Sequence, residues 1–293
     1  MPNRRELGYV SAGSINTVYV STGIYGRATG GIGSPTAVTI GSTNYEYLTF
    51  NATGTLTVTT AGWFDYLAVG GGGGSVYVNG SIAGGGGGSG QVVIGSVYLD
   101  SNQTITVGGG SSFFNYLTGF NQASNTSIAA TSPFTQVALG NSVAQFGNVT
   151  SGMYVGGGYG GQNAIATTAI VGNTTLGFRG GDSTATGNGG GGGSITAIGS
   201  NGSSTTGGAG AAGFDVSVFI GGSALFKAAG GGGGGSGAGG AGGSSGVGGA
   251  GSTTTTPTSA AANTGSGGGG GLGTPYTTGN GGSGICYIRW SVA

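Results

Sequence analysis

The chain has 293 residues, of which 79 are Gly and 4% are charged, with six basic and six acidic side chains, no His and one Cys. Zero net charge, with only Arg4 and Arg5 close together, argues against a nucleic-acid partner; the missing His and lone Cys remove the common zinc sites, an intrachain disulfide framework and any nucleophilic triad with a His base. With 36% hydrophobic residues and a mean hydropathy of +0.16, the chain lacks the signature of disorder and can bury a core.

Residues 1–44 combine moderate glycine with an even scatter of Ser, Thr, Val and Tyr, and read as a separate N-terminal attachment section preceding a body at 45–293. Arg4, Arg5 and Glu6 lead into GYVSAGSINT, which lacks the apolar run of a secretory signal, and no stretch approaches the ~18 apolar residues of a membrane span. The expectation is a soluble product made in a cytoplasm and not inserted in a membrane.

Runs of alternating or clustered β-formers read as strands at 14–22, 36–40, 45–50, 54–70, 91–99, 103–108, 214–220 and 285–290. In TLTVT the threonines alternate with Leu56 and Val58, which predicts a half-buried strand with those two side chains inward. No segment carries a helical period over a useful length. The fold class is therefore all-β, with a sandwich or jelly-roll-like body.

Glycine-dense segments interrupt these strands at 70–74, 84–90, 108–110, 156–161, 189–193, 207–213, 230–251, 265–273 and 279–284. In AAGGGGGGSGAGGAGGSSGVGGAG, residues 228–251, the side chains of Ala238, Ala241, Ser244, Val247 and Ala250 recur at every third position. A period of three belongs to a polyproline-II-type helix, which has no internal hydrogen bonds and must find partners for each N–H and C=O. Collagen is excluded, since this segment has two glycines per triplet and no proline. The glycine segments are expected to pack side by side as polyglycine-II helices, with 230–251 ordered.

The succession YLTFNATGTLTVTTAGWFDYLAVGGGGG (47–74), AGGGGGSGQVV (83–93), TITVGGGSS (104–112), MYVGGGYGG (153–161) and NGGSGICYIRW (280–290) resembles the glycine-rich domain of tail-fibre and other virion structural proteins of tailed bacteriophages, especially marine and cyanobacterial ones. The likeness covers roughly residues 45–291. It implies a virion location for a protein made in the host cytoplasm, and a tail fibre or adhesin that takes part in host attachment. It also implies docking to other virion proteins through the N-terminal section, and a homotrimer. A head decoration or other non-receptor virion component is the alternative within that class. An ice-binding glycine-helix bundle is an alternative outside it, suggested by Thr253 to Thr256.

No enzyme activity and no cofactor are expected. Cys286 falls in a strand without a base, and Glu6, Glu46, Asp65, Asp100, Asp182 and Asp215 form no close pair in sequence. Candidate receptor contacts, for a host glycan or outer-membrane protein, are the aromatic group Phe113, Phe114, Tyr116 and Phe120, together with Arg179 beside Phe178, Phe226 beside Lys227, and Tyr276. The 111–136 segment is the first choice for recognition and 252–264 the second. Arg179 and Asp182 are spaced for a local ion pair.

Overall fold

The computed structural model describes residues 25–75, 82–112, 123–129, 136–138, 145–146, 159–160, 177–184, 187–273 and 278–292. In chain order the elements are β1 (Arg27–Gly30), β2 (Thr36–Ile40), β3 (Thr43–Phe50), β4 (Gly54–Thr60), β5 (Gly62–Val69), β6 (Val92–Leu99), β7 (Gln103–Thr106), β8 (Thr126–Ala129), β9 (Gln136–Ala138), β10 (Gln145–Phe146), β11 (Tyr159–Gly160), β12 (Phe214–Asp215), α1 (Ser217–Ile220), β13 (Phe226–Lys227), α2 (Gly243–Gly246) and β14 (Ile285–Val292).

The architecture is all-β. Two five-stranded antiparallel sheets, ordered β2-β3-β14-β5-β6 and β1-β4-β7-β8-β9, pack face to face. We call them sheet A and sheet B. The core between them holds Leu48, Phe50, Phe64, Tyr66, Ile288 and Trp290 from sheet A against Ala28, Leu56, Ile105 and Ile128 from sheet B. Leu56 is fully buried and Val58 packs partly buried against the same cluster, as the alternation of β4 requires.

The central strand β14 is buried on both faces. Cys286, Ile288 and Trp290 point into the sandwich; Ile285 and Tyr287 point to a second core on the outer face of sheet A with Leu67, Val69, Val92, Ile195, Val216, Phe219, Ile220 and Ala228. The run FDVSVFI at 214–220, expected as a strand, supplies part of this second core but is not extended. It gives the two-residue strand β12 and the single turn α1. The Asp215 carboxylate accepts hydrogen bonds from the backbone N–H groups of Ser217 and Leu225, and so offers the chain an alternative to a ladder.

Within the 1–44 section, β1 pairs with β4 and β2 pairs with β3, so residues 27–30 and 36–40 are strands of the same two sheets. The sandwich thus begins before residue 45. Residues 1–24, with the strand expected at 14–22, lie outside the described residues.

Three neighbouring strands of sheet A run straight into glycine rods: β5 into 70–75, 83–90 into β6, and 279–284 into β14. Each rod bonds a given neighbour once every three residues. Ala83, Gly86 and Ser89 donate to the carbonyls of Gly187, Gly190 and Gly193 in a parallel rod, while Gly84, Gly87 and Gly90 donate to Gly271, Gly268 and Gly265 in an antiparallel one. Gly242, at φ −68° and ψ 146°, has the dihedral angles of the polyproline-II helix.

Rod 229–235 lies at the centre of this array. Gly230 and Gly233 donate to Ala211 and Gly208, Gly231 and Gly234 to Gly87 and Gly84, and Gly232 and Gly235 to Gly249 and Ser252. Its carbonyls accept from Gly240 and Gly243, from Gly189 and Gly192, and from Gly267 and Gly270. Six rods thus surround one, which is hexagonal polyglycine-II packing. Such close approach excludes side chains: a β carbon on Gly231 would overlap the carbonyl of Gly268.

Residues 230–251 are ordered as expected, yet they form three rods rather than one. The chain reverses at 236–237 and again through α2, so 229–235, 238–243 and 247–252 lie side by side, with the middle rod antiparallel to both others. The period of three survives because Ala238 and Ala241 face solvent from one rod while Val247 and Ala250 stand at the rim of the next. Ser244, in the intervening turn, adopts φ +47°.

Candidate functional site

Of the residues expected to contact a receptor, Phe113, Phe114, Tyr116, Phe120 and Tyr276 lie outside the described residues. Arg179 is held locally: its Nη1 donates to the Asp182 carboxylate at 2.9 Å, and Phe178 beside it is half-buried. That is the ion pair its spacing indicated.

Phe226 is exposed, and it stands on the β12–β13 hairpin with two other outward apolar side chains, Leu225 and Val218. The hairpin is fixed from within. Burial works to raise the Asp215 pKa, but the two backbone N–H bonds and the Ser217 side chain outweigh it and hold the carboxyl below its ordinary value. Lys227, next to Phe226, points the other way: it is buried, its Nζ donates to the carbonyl of Asn263 at 3.0 Å, and burial pushes its pKa down. It therefore anchors the hairpin to the 252–264 segment and does not join the exposed group.

In that segment Ser252, Thr254 and Thr256 place their hydroxyls in a chain with 3.0 Å steps. Thr253, Thr254 and Thr256 are exposed.

The outer face of sheet A carries an arrangement that sequence reasoning missed. Arg289 of β14 is buried with its guanidinium between two rings, 4.3 Å from the centroid of Tyr45 and 4.1 Å from that of Phe219. Its Nη1 donates to the Phe219 carbonyl at 2.6 Å and its Nε faces Asp65 at 3.4 Å. The arginine of the closing IRW motif thus fastens turn α1 to the sheet. Asp65 also accepts from the Ser96 hydroxyl. Two residues back along β5, Trp63 meets Tyr98 of β6 edge to face, with ring centroids 5.8 Å apart and planes at 74°. Tyr98 is half exposed. The alternation of GWFDYLAV could have found this face, since Trp63 and Asp65 fall opposite Phe64 and Tyr66.

Cys286 is fully buried, and burial pushes its thiol up to about 12. Among the described residues no group of three His, Cys, Asp or Glu side chains could hold a metal ion. A shallow cleft lined by Gly30, Ile32, Phe50, Asn51, Thr53 and Thr55 has no titratable side chain in its wall.

Compared with known families, residues 49–291 match the model described as a glycine-rich domain. No curated protein and no solved structure matches the chain.

Proposed function

The chain belongs to the glycine-rich domain family, and from that premise we propose that it is a structural, non-enzymatic component of a tailed bacteriophage particle, a tail fibre or adhesin that takes part in host attachment. The observation that carries the reading is the hexagonal rod array. Its central rod has both donors and acceptors committed to six neighbours, a rigid support whose turns and hairpins can vary without disturbing the packing. The exposed Val218, Leu225 and Phe226 on the 214–227 hairpin are the kind of display such a support permits.

In this reading the N-terminal section docks the protein to other virion proteins, and the host partner is a surface glycan or outer-membrane protein. The assembly is a homotrimer, closed so that sheet edges such as β2 and β9 are covered. Mass spectrometry of purified particles, with antibody-labelled cryo-EM, tests it. The chain is expected in the particle, on the tail. Absence from particles overturns the proposal, and a head position replaces the adhesin by a decoration protein.

The hydroxyl chain of Ser252, Thr254 and Thr256 favours a second reading, ice binding. Thermal hysteresis in a solution of the purified protein would support it, and freezing without hysteresis would remove it.

A further inference from the structure

Resting on the adhesin reading, we propose that the open end of the outer face of sheet A is a glycan site, in which Trp63, Tyr98, Asp65 and Ser96 take a neutral pyranose. A pyranose has an apolar C–H face and a rim of hydroxyl donors. It needs an aromatic platform with a hydrogen-bond acceptor one hydroxyl away.

The sheet supplies both. Trp63 and Tyr98 are directly opposite on β5 and β6 and hold each other edge to face, so the platform exists before any ligand arrives. Asp65 and Ser96 form the next row on the same face, ~6.7 Å further along at the ordinary rise of two strand residues. That distance is about the width of a sugar ring.

The carboxylate is set for accepting. One oxygen of Asp65 takes the Ser96 hydroxyl and the other faces the Nε of Arg289, and each keeps a further lone pair, enough for two adjacent sugar hydroxyls. Arg289 is 93% buried at its side chain and committed to the Phe219 carbonyl, so it orients the acid without offering a charge to an anionic ligand. The neutral sugar is therefore favoured over an acidic one. All four side chains stand on paired strands, so little freedom is lost on binding. They lie at the ends of β5 and β6 remote from the glycine rods, which follow Val69 and precede Val92.

The chain has two tryptophans, and Trp290 is 1% exposed, so a sugar on the platform is reported by Trp63 fluorescence. Full-length protein is titrated with the methyl pyranosides of mannose, glucose and galactose and with N-acetylglucosamine, from about 0.1 to 50 mM, the range where a single weak sugar contact saturates. At least one should give a saturable change. Tyr98→Ala and Asp65→Asn should each weaken it about tenfold or more, which corresponds to roughly one strong contact, without moving the melting temperature. Should Asp65→Asn melt early, the half-exposed Tyr98→Ala variant decides alone. No saturable change with any of the four sugars, or unchanged affinity in the variants, overturns the proposal. A protein found in particles but blind to sugars loses the site and keeps the virion role. One that binds sugars yet is absent from particles does the reverse.

Discussion

The same substitution, Gly to Ala, should have opposite effects at two positions of the rod array. Gly231 lies in the central rod, donates to Gly87 and accepts from Gly192, and a β carbon there would overlap the Gly268 carbonyl. Rod 265–272 must then move away. Overfilling a packed interior costs ~1–3 kcal/mol, and straining the two bonds of Gly231 adds ~1–3 kcal/mol at ordinary net hydrogen-bond values. Restricting the unfolded chain returns only ~0.4–1 kcal/mol. The net loss for Gly231→Ala is about 1–5.5 kcal/mol, or roughly 2–20 °C in Tm for a chain of this size. Gly109 has no atom within 4 Å of the added carbon and is exposed, so Gly109→Ala keeps only the unfolded-state gain and is expected to be neutral or to stabilise by up to about 1 kcal/mol. Denaturant melts followed by circular dichroism measure both, with equal slopes required for the comparison. If the two variants agree within about 0.5 kcal/mol, the ordinary spread for surface changes, the array does not exist as described.

Replacing Arg289 by Met removes the contacts with Tyr45 and Phe219 and leaves the Phe219 carbonyl without its donor, so a loss of about 2–4 kcal/mol is expected in the same melts. Lys at that position keeps the charge without the planar fork and should recover less than half of that loss. Cys286, with its thiol raised to about 12, should resist thiol reagents in the native protein and react with one equivalent once denatured. Asp215 has a folded pKa below its ordinary 3.8, so its contribution is present above that value and lost as the pH falls through the folded one. The stability gap between wild type and Asp215→Asn should accordingly hold at neutral pH and close in acid below 3.8.

Legibility in the sequence followed how local the deciding forces were. TAVTI coincides with β2, and the alternation of TLTVT placed Leu56 and Val58 correctly, because a two-residue period is written directly in the residues. The run at 54–70 hid a crossing between sheets: β4 ends at Thr60 in sheet B and β5 starts at Gly62 in sheet A, and no proline or charge marks the change. In 230–251 the three-residue period revealed the rods but not their reversals, since Ala238 and Val247 occupy similar outward positions on separate rods. The turn at 217–220 depended on the Asp215 carboxylate capturing two N–H groups, one of them ten residues away. Trp63 and Tyr98 meet across 35 residues of sequence, so their pairing is a matter of sheet register and not of spacing.

Amide hydrogen exchange along the rods tests the central claim most directly. The N–H groups of 230–235 are all bonded inside the array, whereas Gly239 and Gly242, on the rim, donate to no backbone carbonyl among the described residues. The six amides of 230–235 should exchange as slowly as those of β14 at 285–290, while Gly239 and Gly242 exchange quickly. Exchange of 230–235 at the rate of an unprotected glycine chain would contradict the account.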